Sequence, residues 1–237
     1  MIYIDGGSNT YGDEIEQRET NAWPFILGNK LGIPVVNQAI KGKSNQHIVF
    51  DVLNFCAGHR PTAVVIGWVN LSRRMFVRGE NNFLIDISPS GQNSIYQDQV
   101  EFKKFQTLLY KYWSNFLYDA WHFLHQVILV QRFLQSQHIP YFMFNDADSS
   151  NISKLLTISQ EHSKIKDKLL DAFDLMTDDN IQNVETKLNE LYRLIDHDNF
   201  YNFSWHISKI VKFSRHPSVS DHRILADFFL PLVQTRI

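Results

Sequence analysis

Four short polar stretches of this chain carry residue types that could do chemistry together. The first, Asp5-Gly6-Gly7-Ser8-Asn9-Thr10-Tyr11-Gly12, sets a serine behind two glycines directly after an apolar run. A helix starting there leaves backbone N–H groups unpaired beside the hydroxyl, and those donors favour developing negative charge. In that setting Ser8 is either a nucleophile or the N-cap of the helix. The second stretch, Gln38 to Asn45, contains Gly42, whose lack of a side chain lets a backbone N–H approach a ligand closely. The third runs from Gly67 through Val69, Asn70 and Ser72 to Arg73-Arg74. The Asn70 amide could donate to an oxyanion or close the turn after a strand. The fourth, near the C-terminus, is His216-Pro217-Ser218. Pro217 fixes the backbone after the imidazole, so His216 could serve as a general base on a rigid loop before the last helix. His222, inside that helix, reads as a packed structural residue.

Other chemistries fit less well. Gly42-Lys43-Ser44 matches the end of a phosphate-binding loop, but the glycine required five positions earlier is Asn37, and the third apolar run ends without a magnesium-holding Asp. His122 and His125 share a helical face with no accompanying His-Glu-x-x-His pattern, so no metal or cofactor is expected. A formal net charge of -2, with Arg73-Arg74 and Lys103-Lys104 as isolated basic pairs, argues against a nucleic-acid partner. The single cysteine, Cys56, allows no internal disulfide and reads as a buried thiol. Met1–Asp5 is not a basic region leading into a long apolar core, and Ala120 to Gln131 is too short to span a bilayer, for which ~20 residues are needed. The expectation is a soluble, cytoplasmic protein without a membrane partner.

The elements that must position these residues follow from periodicity. Met1–Asp5, Pro34–Asn37, Ala63–Gly67 and Pro140–Asn145 are brief apolar runs that read as buried parallel strands. Between them, Thr20–Leu31 is helical with Gly32 as C-cap, and Ser44 caps a helix running to Ala57. Residues 97–137 repeat apolar side chains at helical spacing, as one long helix or two joined by a kink. Residues 75–96 read as a surface excursion rich in turn formers, and 150–197 as two charge-rich helical stretches. Alternating strands and helices predict an α/β fold: a three-layer α/β/α arrangement, flavodoxin-like, with helices on both faces of a parallel sheet and a long helical insertion. A single domain over 1–237 is expected, with 75–135 and 150–200 as elaborations. Ligands of such sheets bind beyond the carboxyl ends of the strands, which directs attention to the loops after Asp5, Asn37 and Gly67.

In this order, Gly6-Gly7-Ser8-Asn9-Thr10-Tyr11-Gly12, Gly42 with Ser44 and Asn45, Gly67 to Asn70, and His216-Pro217 to His222 resemble the SGNH (GDSL-type) hydrolase family, as a divergent member. Arg18-Glu19-Thr20, Trp23-Pro24 and Leu31-Gly32 look like the sequence that follows the nucleophile in some members. The resemblance implies ester hydrolysis through an acyl-serine, with Ser8 as nucleophile and His216 as base. It also implies an oxyanion hole from the N–H groups of Ser8 and Gly42 plus an Asn side chain, Asn70 or Asn45, and a small-molecule or glycan ester as substrate. Three positions depart from the family pattern. Gly7 stands where the pattern has Asp, Val69 where it has the oxyanion Asn, and Phe213 where an Asp supports the histidine. Asp13, Glu14 or Asp221 could supply the missing carboxylate, or a backbone carbonyl could leave a Ser–His dyad. The alternative reading is a catalytically degenerate member that binds or assembles.

Overall fold

The computed structural model describes residues 1–78, 83–87, 100–112, 116–146, 178–201 and 216–237. Four strands fall where the apolar runs lie: β1 (Ile2–Asp5), β2 (Val35–Asn37), β3 (Ala63–Trp68) and β6 (Tyr141–Asn145). They pair in parallel with β7 (Phe200–Tyr201) in the order β2-β1-β3-β6-β7. Because side chains alternate across a strand, neighbouring residues enter different cores. Tyr3, Val64, Ile66, Trp68, Tyr141 and Met143 face one apolar cluster, and Ile2, Ile4, Val65, Phe142 and Phe144 face the other.

The helices supply the outer layers. On the first face lie α4 (Asn45–Gly58), α6 (Phe116–Ser136) and α7 (Asp178–Arg193), which bury Ile48, Val52, Phe123, Leu124, Val127 and Leu188. On the second lie α3 (Trp23–Leu31) and α8 (Val219–Gln234), which bury Trp23, Leu27, Leu225 and Phe229. This is the expected α/β/α fold. Two of the caps are also where the sequence puts them. Ser44 accepts from the His47 N–H at 3.2 Å, and Gly32 closes α3 at φ 67°. Ser218 opens α8 through a capping box with Asp221.

Within 75–96, expected as a turn-rich excursion, the described residues 75–78 and 83–87 lie in strands. β4 (Arg74–Arg78) and β5 (Phe83–Ile87) form an antiparallel two-stranded ribbon, burying Ile85 and Ile87. It is fixed to the main body by its polar residues. Asp86 accepts from the Ser44 N–H at 3.0 Å and pairs with His47 Nδ1 at 2.6 Å, and Gln46 accepts from the Met75 N–H at 2.7 Å. Arg74 pairs with Asp119 of α6. In 97–137 two helices are described, α5 (Val100–Tyr112) and α6, with 113–115 outside the described residues. Residues 88–99, 147–177 and 202–215 also lie outside them, including part of the expected 150–197 helices and Phe213. Among the described residues no helix is long and apolar enough to cross a membrane.

Candidate active site

The site is built from the loops at the carboxyl edge of the sheet. After β1, Gly6 and Gly7 make the turn into α1 (Ser8–Tyr11). Gly7, not Ser8, is the N-cap residue, so Ser8 is the first residue of the helix and its side chain caps nothing. Ser8 is half-buried and hydrogen-bonds to no described side chain. Gly7 is packed from outside: a Cβ added there would lie 2.6 Å from Val69 Cγ1, 3.6 Å from Arg73 Nη1 and 3.8 Å from Asp146 Oδ2.

The second loop is braced from beneath. Gly42 turns at φ 79°, a conformation glycine adopts without penalty. The next side chain, Lys43, is fully buried and donates to Asp5 at 2.6 Å, Asp51 at 2.5 Å and the Gln38 carbonyl at 2.9 Å. Its ammonium is therefore spent inside the protein, which removes the cation a phosphate-binding loop would present. Burial pushes the Asp5 carboxyl up to about 6, and Lys43 pulls against that shift. Among the described residues the N–H groups of Ser8 and Gly42 donate to no acceptor.

The third loop disposes of the two asparagines differently from a simple oxyanion pair. Asn45 is buried and clamps the Val69 backbone from both sides, its Oδ1 accepting from the N–H at 2.8 Å and its Nδ2 donating to the carbonyl at 3.1 Å. Asn70 turns its carbonyl into its own loop, accepting from the Ser72 N–H at 2.9 Å and hydroxyl at 2.7 Å. Arg73 reaches back across the site and donates from Nη1 to the Lys43 carbonyl at 3.2 Å.

His216 stands between two carboxylates from the loop that follows α1. Its Nδ1 is 3.4 Å from Glu14 Oε1 and its Nε2 is 3.9 Å from Asp13 Oδ2. Among the described residues Nδ1 is buried without a hydrogen-bond partner. Glu14 holds φ at 66°, a left-handed conformation that costs a non-glycine residue on the order of 1 kcal/mol. Asp221 is elsewhere: it accepts from the Ser218 N–H at 2.8 Å and hydroxyl at 2.6 Å, closing the cap of α8. His222 is wholly buried, and its Nδ1 accepts from the Trp23 N–H at 2.9 Å. Burial lowers its pKa to about 4.

Sequence reasoning missed Asp146, the first residue beyond β6. Its Oδ1 accepts from Asn9 Nδ2 at 3.1 Å, one residue along from Ser8. Burial raises its carboxyl to about 7, against the opposing effects of Asn9 and Arg73. The rule that directed attention to the loops after the first three strands would have found it had it been carried to the fourth.

A family model described as "Family of unknown function (DUF6071)" matches residues 7–177. No curated protein matches the chain in sequence. Among solved structures, the crystal structure of TesA superposes with a TM-score of 0.52 at 9% identity, covering 100% of this chain and 99% of that one. A member of the lipolytic protein G-D-S-L family from Veillonella parvula DSM 2008 follows at TM-score 0.49 and 13% identity, with coverages of 100% and 98%. The acetyl xylan esterase AlAXEase gives 0.48 at 13% identity, with coverages of 98% and 100%. At these identities the likeness is one of fold, and the fold shared with TesA is the one the SGNH resemblance implies.

Proposed function

The chain belongs to the family of unknown function DUF6071, and from that premise we propose that it is a serine esterase or deacetylase. Its substrate is a small or carbohydrate-borne carboxylic ester. The observation that carries the reading is the placement of His216 against Asp13 and Glu14, five and six residues after Ser8. That contact brings a base and its anionic support to the loop of the half-buried serine.

In this reading Ser8 Oγ attacks the ester carbonyl carbon while His216 takes its proton. The carbonyl electron pair moves onto oxygen, where the Ser8 and Gly42 N–H groups receive it. Collapse of the intermediate breaks the bond to the alcohol oxygen, which leaves with the proton from His216. Water then enters by the same steps in reverse and frees the acid and Ser8. Glu14, nearest Nδ1, holds the imidazole in the tautomer that leaves Nε2 able to accept. It takes the role of the Asp that the family pattern has at Phe213.

A second reading, a binding or assembly module on the same fold, is favoured by one observation. No hydrogen bond joins Ser8 to His216 among the described residues. Catalytic contacts are often long in unliganded enzymes and tighten with substrate, so the first reading stands ahead. The test is labelling with a neutral fluorophosphonate, read by intact mass. One adduct on wild type, absent from Ser8→Ala and His216→Ala, is the expected result. An unlabelled but folded wild type would select the binding module.

A further inference from the structure

We propose that Arg73 is the side-chain donor of the oxyanion hole, taking the place of the asparagine that this chain lacks at Val69. The inference rests on the reading of Ser8 as nucleophile and deepens it. Two distances fix where the guanidinium lies. Its Nη1 is 3.2 Å from the carbonyl of Lys43, the residue after Gly42. The same nitrogen is 3.6 Å from where a Cβ on Gly7, the residue before Ser8, would be. Arg73 therefore spans the two backbone segments whose free N–H groups define the hole.

The guanidinium also has donors to spare. An arginine carries five N–H bonds, and among the described residues Arg73 uses Nη1 alone, on Lys43. No carboxylate forms an ion pair with it within that set, although Asp146 and Asp86 act on its charge from farther away. This sets it apart from Arg74, which is paired with Asp119. A half-buried cation with unused donors, held against the residue that precedes Ser8, is suited to a charge that exists only in the transition state.

Asn45 is bound to both polar atoms of the Val69 backbone. Asn70 spends its carbonyl on Ser72, which leaves its amide as the competing donor to be separated from Arg73 by experiment. A Cβ at Gly7 would collide with Val69 Cγ1 at 2.6 Å and lie in ordinary contact with Arg73 Nη1 at 3.6 Å.

The experiment compares labelling of wild type, Arg73→Gln and Asn70→Ala by a neutral fluorophosphonate, together with kcat and KM on a neutral ester. The expected result is that Arg73→Gln slows labelling and kcat by about 10²–10³-fold, with KM little changed, the usual loss for one oxyanion donor. A loss of that size on Asn70→Ala, with Arg73→Gln near wild type, would assign the donor to Asn70 and overturn the proposal. A folded Arg73→Gln that labels at the wild-type rate would overturn the proposal. So would a loss confined to esters carrying a negative charge, which would make Arg73 a substrate-charge reader. If Arg73→Gln does not fold, a crystal structure of the wild-type phosphonyl-Ser8 adduct decides. An Arg73 nitrogen in hydrogen-bond contact with the phosphonyl oxygen supports the proposal, and an Arg73 left only on Lys43 overturns it. A wild type that takes no label at Ser8 defeats the nucleophile reading itself, and this proposal with it.

Discussion

On the Ser8 side of the site, the loops are tied to one another by direct hydrogen bonds. Asn45 grips Val69, Lys43 joins Asp5 to Asp51, and Asn37 Nδ2 donates to the Thr10 carbonyl at 3.2 Å. On the His216 side the imidazole has two carboxylates at 3.4 and 3.9 Å, and among the described residues its Nδ1 has no hydrogen bond. What positions it lies behind it, in the capping box of α8 and the bond from Trp23 to His222. In the proposed reading, the nucleophile and the oxyanion donors thus belong to a preset frame, while the base hangs from the end of a helix. Ester hydrolysis asks for that division, because oxyanion stabilisation depends on donors that do not reorganise, whereas the base must exchange a proton with two partners in turn.

The comparison can be broken most severely at Lys43. Lys43→Met should cost about 3–5 kcal/mol, because it strands the Asp5 carboxylate in the core, and denaturant unfolding would measure it. The effect should fall on the frame and on folding together.

Next in size is a pH effect on the other side. His222 titrates at about 4 when folded and near 6.5 when unfolded, so the unfolded state holds more protons between those values. Its contribution is complete above pH 6.5 and is lost as pH falls toward 4, amounting to about 3 kcal/mol at most. Urea unfolding of wild type across that window should show the slope. His222→Gln, which keeps an acceptor for the Trp23 N–H, should flatten it.

The smallest effect sharpens the base side. Glu14→Gln should lower kcat by about tenfold, less than the loss in buried triads because Glu14 is more than half exposed. Asp13→Asn, facing the other nitrogen from 3.9 Å, should change it less. Steady-state kinetics of the two variants would reverse the assignment if Asp13→Asn proved the worse.

How much of this could be read in the sequence depended on the range of the interactions. β1, β2, β3 and β6 are short apolar runs and declare themselves locally, as do the caps at Ser44 and Gly32. The ribbon β4–β5 was hidden because Arg74, Arg78 and Asp86 interrupt its apolar residues, and β7 has only two residues. Among site residues, Ser8, Gly42 and His216 stand out through their neighbours in the chain. Arg73 does not. It reads as half of a surface charge pair until the fold sets Gly7 and Lys43 against it. The choice between Glu14, Asp13 and Asp221 was likewise open, since it depends on where the fold sets His216 against the loop after α1.

One contact changes how the departures from the family pattern should be counted. Gly7 and Val69 look like two separate losses, yet the missing side chain of one is filled by the methyl group of the other, at 2.6 Å from a notional Cβ. The two positions therefore act as a pair: an aspartate at position 7 requires Val69 to move or to be replaced, so the residue tolerated at one is set by the residue at the other.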